Sequence, residues 1–336
     1  MIIDAYTHYT TLNYLETMKA FPGEQAKNMV SFMTSLSQRH PHFSDVGLRV
    51  KDLDKYGIDK QVTMVQPIIE PNLFVNGEAL LRSCRMVNDS LARVEKESGG
   101  RIVSLGVAPL ALGDGGADRD EMRRAIHDLG LKGFMVMTNV HGGTPIDKYT
   151  SFWQEAGRLN TTVYVHPADP FDTRSRPYED EFDMIHVLGW PYESTLALSR
   201  IVFKGILEMN PGLKVVAHHL GGMIPFFAGR ISESYDKTAS PPKPDQIAKI
   251  SAQKPIMDSF KEIYYDTAVG GSKPALRCGY EVFGPKHLVY STDYPWGPQG
   301  GRIRLATYAN NIREMEIPES EKEEILGGNI QGVLKI

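Results

Sequence analysis

Eight short apolar runs, each followed by a polar or helix-forming stretch, constrain this 336-residue chain more than any other feature. The runs are Met1–Ala5, Gln61–Gln66, Ile102–Val107, Gly133–Met137, Thr162–His166, Lys214–His218, Glu262–Asp266 and His287–Ser291. Most are apolar or β-branched along their whole length, as strands buried on both faces of a parallel sheet are. Between them lie segments with apolar residues three and four apart. In Gly77–Ser98, Leu80, Leu81, Cys84, Val87, Leu91 and Val94 share one helical face. Asp118–Leu129, Tyr149–Leu159, Ser194–Met209 and Lys273–Phe283 behave similarly, and Pro211-Gly212 and Gly284-Pro285 stop the last two. Eight strands separated by helices predict an α/β fold, a distorted (β/α)8 TIM barrel formed by 1–336 as a single domain. The competitor, a doubly wound open sheet, usually carries a Gly-rich phosphate loop after its first strand, and none is present.

Two segments depart from the alternation. Residues 12–47, with FPGEQ and RHPHF, are too long for a simple βα loop and predict an insertion near the barrel mouth. Residues 167–190 are polar, follow the fifth strand and predict a flap over the same mouth. Thr238–Gln253, with SPPKPDQ, reads as an exposed connection.

Composition narrows the function. A net charge of −4 argues against nucleic acid or an anionic membrane as the main partner. No apolar run approaches the roughly 20 residues that span a bilayer, and the N-terminus lacks a signal-peptide pattern. Cys84 and Cys278 stand far apart in helical segments, so neither a disulfide framework nor a Cys-based zinc site is expected. A cytoplasmic protein is the expectation.

The polar residues on this frame point to chemistry. In a barrel, side chains at the C-terminal strand ends converge on one mouth. His8 follows the first strand, His166 ends the fifth in VYVHP, His218-His219 end the sixth in VVAHHLGG, and Asp293 follows the eighth in VYSTDYP. Any one of these alone reads as a satisfied core histidine or a capping aspartate. Two imidazoles and a carboxylate on different strands can instead share one divalent cation and leave positions open for substrate.

Those residues sit in stretches that carry a resemblance: IIDAYTH, VYVHP, WPYESTLALSRIVFKGILEMNPGLKVVAHHLGGMIPFFAGRI, YYDTAV, HLVYSTDYP and EEILGGNIQGVL. The chain resembles the amidohydrolase-related superfamily, in the branch of aminocarboxymuconate-semialdehyde decarboxylase and γ-resorcylate decarboxylase. The opening is also similar to 4-oxalomesaconate hydratases. The resemblance implies a distorted barrel holding one divalent metal ion (Zn, Mn or Fe), with a homodimer as the common assembly. It implies His8, His166 and Asp293 as metal ligands and His219 as the histidine facing substrate. It also gives Asp293 a second role, exchanging a proton with substrate. Tyr6 is the departure, because the family usually carries His there and the aromatic-acid decarboxylases Glu. Its phenol would serve either as a hard oxygen ligand or as a neutral hydrogen-bond partner. A metal-free site in which Tyr6 only packs ranks last.

The implied activity is a metal-dependent lyase that decarboxylates a small aromatic or unsaturated carboxylic acid. A hydrolase or hydratase of a ring-cleavage product would use the same residues, and only the lyase releases carbon dioxide. An iron or manganese oxygenase would consume oxygen, and a metal-free binding protein would carry no stoichiometric metal. Trp190 is a candidate apolar wall. Arg174 and Arg176 are candidate clamps for a substrate carboxylate, with surface solvation about as good a reading. His218 reads as a packing residue, His40 and His42 as members of a solvated loop, and Asp4, Asp266 and Asn329 as supporting or capping groups.

Overall fold

The computed structural model describes residues 1–110, 112, 116–140, 143–169, 181–235 and 250–336. Its frame is a set of parallel strands: β1 (Ile3–Tyr9), β2 (Lys60–Val65), β3 (Ile102–Ser104, continued by Gly106–Val107) and β4 (Gly133–Met137). The second half comprises β5 (Thr162–His166), β6 (Lys214–Ala217), β7 (Tyr264–Asp266) and β8 (Leu288–Val289). One sheet runs β1–β2–β3, and the other runs from the continuation of β3 through β4, β5, β6 and β7 to β8.

Backbone hydrogen bonds join the two sheets into a ring. At the break in β3, Leu105 N–H donates to the Thr63 carbonyl at 2.9 Å. At the other seam Ala5 N–H donates to Tyr290 O at 2.8 Å, Asp293 N–H to Tyr6 O at 3.0 Å and His8 N–H to Tyr294 O at 2.8 Å. With helices between the strands, this is the TIM barrel the alternation predicts.

The helices seal the outside of the ring. Gly77–Glu97 turns Leu80, Cys84, Val87, Leu91 and Val94 inward, all buried. Burying each Leu or Val contributes about 1.5–3 kcal/mol, and Leu91→Ala would cost ~2–5 kcal/mol through the void it leaves. The close fit reaches the backbone, since a Cβ at Gly133 in β4 would lie 2.2 Å from the Thr162 carbonyl oxygen of β5.

Several expected boundaries move for identifiable reasons. The first strand was expected over Met1–Ala5 but extends to Tyr9, because its polar residues are buried and paired: Thr7 Oγ1 donates to Val62 O at 2.9 Å. The eighth was expected over His287–Ser291, but its ladder ends at Val289. Beyond it the amides of Ser291 and Thr292 donate to side chains, Thr267 Oγ1 at 3.0 Å and Asp4 Oδ1 at 2.9 Å. The 12–47 segment holds helices Leu12–Met18 and Glu24–Arg39 and a turn at Pro41–Phe43.

His42 is corrected from a solvated loop to a buried residue. Its Nε2 lies 2.6 Å from Arg302 Nη2 and 3.4 Å from Asp52 Oδ2, a charged pair that draws the turn inward. Cys84 and Cys278 are free thiols, the first buried. Among the described residues no helix is long and apolar enough to cross a membrane. Residues 170–180 of the 167–190 flap, with Arg174 and Arg176, and most of Thr238–Gln253 lie outside the described residues.

Candidate active site

Alternation along β1 puts Tyr6 and His8 on one face, two residues apart, at the mouth of the ring. His166 is the last residue of β5, and Asp293 lies just past β8 in a left-handed conformation (φ 62°) that aspartate tolerates better than most residues. These four side chains meet. The Tyr6 hydroxyl is 2.7 Å from His8 Nε2 and 2.8 Å from His166 Nε2, and His8 Nε2 is 3.1 Å from Asp293 Oδ1.

Proton positions follow from the acceptors. His166 Nδ1 lies 2.6 Å from the Pro167 carbonyl, which can only accept, so Nδ1 carries the proton and Nε2 presents its lone pair. Tyr6 O–H then donates to His166 Nε2, and the Tyr6 oxygen accepts from His8 Nε2–H, shared with Asp293. Burial, with the neighbouring His218, His8 and His219, pushes His166 well below its ordinary value and keeps it neutral. Burial, with the carboxylates of Asp293 and Asp266, pushes the Tyr6 phenol well above 10. Asp293 goes the other way. Burial alone would raise its pKa, but the hydrogen bond from His8 and the influence of His8, His219 and Arg304 hold it well below the usual carboxylate range.

Among the described residues no cluster of three His, Cys, Asp or Glu side chains is arranged for a metal, because the Tyr6 hydroxyl stands between the two imidazoles. The donors nevertheless fit a divalent cation. An oriented imidazole lone pair, a second imidazole and an ionised carboxylate form a suitable set. The 3.1 Å between His8 Nε2 and Asp293 Oδ1 is also close to the ~3 Å edge of an octahedron around a cation bound at about 2.1 Å. His8 Nδ1 is buried without a partner.

A cavity of about 1010 Å³ opens over these groups. Trp190, Trp296, Phe32, Phe74 and Ile68 supply apolar wall, while His219, Asn139 and Arg304 are among its polar lining. Trp190 is oriented by a 2.7 Å bond from Nε1 to Asp169 and packs edge-on against His166. Phe32 comes from the 12–47 insertion, and Pro167, Ala168, Asp169 and Trp190 come from the described ends of the 167–190 segment.

His219 lines this cavity, whereas His218 lies wholly buried behind it, its ring 3.8 Å from that of Tyr6. One carboxylate holds both histidines. Asp266 Oδ2 is 2.9 Å from His218 Nδ1, and Oδ1 accepts the backbone N–H of His219, also at 2.9 Å. Burial raises Asp266 to about 6. Asp4 is likewise internal, accepting from the Thr292 hydroxyl at 2.6 Å and from Gln61 at 3.2 Å. Asn329 donates to the carbonyls of Pro285 and Leu288 beside β8.

Two arginines escaped the sequence reading. Arg49 is fully buried, with its guanidinium hydrogen-bonded to the His8 carbonyl, to Thr7 Oγ1 at 2.9 Å and to Gln61 Oε1 at 3.0 Å. Arg304 donates from Nη1 to Asp293 Oδ2 at 2.8 Å. A signal for Arg304 exists. Arg302 and Arg304 open the helix Arg302–Arg313, where the macrodipole disfavours cations, so carboxylate partners are favoured there without the sequence saying which. The structure pairs them with Asp52 and Asp293.

Comparison with known proteins follows the same architecture. The chain is 28% identical over 287 residues to a 2-amino-3-carboxymuconate-6-semialdehyde decarboxylase of Dictyostelium discoideum, covering 85% of this chain and 75% of that protein. It is 28% identical over 266 residues to a γ-resorcylate decarboxylase of Rhodococcus jostii (strain RHA1), covering 74% and 77%. The crystal structure of a dihydroxybenzoic acid decarboxylase from Polaromonas sp. JS666, with bound manganese and the inhibitor 2-nitroresorcinol, superposes with a TM-score of 0.79. That match has 21% identity and covers 99% of this chain and 96% of that one. A family model described as amidohydrolase matches residues 3–336, from the start of β1 onward, and the chain belongs to this amidohydrolase family.

Proposed function

We propose that this protein is a metal-dependent lyase that removes the carboxyl group of a small aromatic or unsaturated carboxylic acid without redox change. The observation that carries the reading is the meeting of His8, His166, Asp293 and Tyr6 at the floor of an aromatic-walled cavity. Named activities of the relatives support it, as does the manganese in the Polaromonas decarboxylase. In this reading His8 Nε2, His166 Nε2 and Asp293 Oδ1 hold one divalent cation, with manganese, zinc and iron as candidates. Tyr6 remains a neutral phenol beside them. When bound, the cation would supply a Lewis-acid anchor for the substrate carboxylate and an adjoining oxygen.

The chain's own residues account for the rest. Trp190 and Trp296 confine a flat ring and exclude water. Asp293, ionised beside the reacting carbon, is the group placed to pass a proton to the carbon that bears the carboxyl group, drawn from a substrate hydroxyl whose acidity a bound cation would raise. The C–C bond then breaks, its electron pair restores the ring's conjugation, and carbon dioxide leaves. His219, with its backbone fixed by Asp266, faces the developing charge from the cavity wall. A homodimer in the cytoplasm completes the reading.

The test is incubation of the manganese- or zinc-loaded protein with a panel of hydroxybenzoic acids, measuring carbon dioxide and the ring product. Carbon dioxide should appear in equal amount to ring product and fall by at least about 10³-fold in Asp293→Asn. A product that keeps its carboxyl carbon would favour the hydratase or hydrolase chemistry instead, and oxygen uptake would favour an oxygenase.

A further inference from the structure

Arg304 holds more hydrogen-bonding capacity than its contact with Asp293 consumes. The guanidinium carries five N–H donors in a fixed fork. Nη1 meets Asp293 Oδ2 at 2.8 Å and the Thr292 carbonyl at 3.3 Å. Nη2 meets no acceptor among the described residues, and the side chain, 21% exposed, lines the cavity. Nε is buried without a partner. No other described residue of the lining is a lysine or arginine.

The chain makes room for this group deliberately. Gly297 lines the cavity beside Arg304 with φ +99°, and a Cβ there would lie 2.4 Å from Arg304 Nε and 3.0 Å from Nη2. Any side chain at 297 would push the guanidinium off its seat. Asp293 does not need the whole fork, because His8 already engages its other oxygen. Of the two other described carboxylates in the lining, Asp169 is held by Trp190 and Asp183 by His186, so neither is bonded to Nη2.

We propose that Arg304 is a specificity-determining residue that binds a second oxyanion of the substrate. The acids this site prefers would then carry an ionised group besides the carboxyl group that departs. The inference rests on the aromatic-acid reading above and deepens it by assigning the substrate's charge. Nη1 stays on Asp293 while Nη2 donates to the retained carboxylate or phenolate, a charge-assisted contact.

The test reads binding rather than turnover. Quenching of tryptophan fluorescence in the metal-loaded protein would follow titration with benzoate, benzene-1,2-dicarboxylate and benzene-1,3-dicarboxylate. At least one dicarboxylate should bind on the order of 10- to 100-fold more tightly than benzoate. In Arg304→Gln that preference should collapse to within about threefold, the dicarboxylates losing far more affinity than benzoate; Arg304→Lys, which keeps the charge, should be intermediate. Three results would overturn the proposal. One is wild-type protein that binds benzoate but shows no preference for either dicarboxylate. Another is a preference that survives Arg304→Gln. The last is an equal loss of all three acids together with the metal, which would make Arg304 only a support for Asp293. Failure of every acid to bind wild-type protein would overturn the aromatic-acid reading along with it.

Discussion

Glu70 offers a test of the energetics that needs neither metal nor substrate. It is fully buried in the turn after β2, with Oε1 2.7 Å from Asn72 Nδ2 and Oε2 without a partner. Burial pushes its pKa up from 4.5 to about 8, so the folded protein keeps a proton that the unfolded chain loses near pH 4.5. Between those values the folded state binds more protons, and stability therefore falls as pH rises. The stabilisation is fully present below about pH 4.5 and lost as pH climbs through about 8. At 1.36 kcal/mol per pH unit, the interval from 4.5 to about 8 amounts to a loss on the order of 5 kcal/mol. Glu70→Gln mimics the protonated acid and cannot ionise. In urea unfolding at constant m-value, variant and wild type should agree within ~1 kcal/mol at pH 5. At pH 9 the variant should be several kcal/mol more stable. Asp4 and Asp266 are also raised, to about 7 and about 6, but both proteins share them and the difference isolates Glu70. Parallel stability profiles from pH 5 to 9 would refute the account.

Further outcomes follow from the site and its supports. Arg49→Met strands the acceptors His8 O and Gln61 Oε1, so it should cost about 2–4 kcal/mol in urea unfolding. Because the guanidinium grips the backbone of His8, elemental analysis should also show less metal. Tyr6→Phe should retain about one metal per chain by the same analysis, since a neutral phenol is not needed as a ligand; metal lost from this variant would make Tyr6 one. Gly133→Ala must push β4 from β5 and should destabilise by ~1–3 kcal/mol or more. Free metal at 100 times its dissociation constant should raise stability by about 2.7 kcal/mol, reversed by chelator.

The fold was legible because strands buried on both faces leave unbroken apolar runs, and these recur eight times. Gly133–Met137 and Thr162–His166 match to the residue. Boundaries were lost where side chains replace the ladder. Beyond Val289 the amides of Ser291 and Thr292 turn to Thr267 and Asp4, from distant strands, and no local pattern announces that exchange. His42 was misjudged for a related reason. A histidine in a short polar turn after Pro41 looks solvated until Asp52, one helix further on, and Arg302, near the other end of the chain, close around it.

Within the site the strand-end histidines and Asp293 were visible because polar residues there need a reason. Arg49 and Arg304 were not, because each acts through a residue 41 or 11 positions away, and sequence alone assigns no such partners. Their absence from the reading also hid the charge of the site. Arg304 and the cation this site would hold are its positive groups, and Asp293 is the carboxylate placed against both His8 and Arg304. His166 is held neutral by burial and Tyr6 is a neutral phenol, so neither adds charge. Asp169 and Asp183 also line the cavity, but Trp190 and His186 hold them, and among the described residues Arg304 Nη2 bonds to neither. A substrate carboxylate on the cation would therefore leave Arg304 Nη2 as the cationic donor for a second anionic group, and Arg304→Gln should weaken dianions more than monoanions.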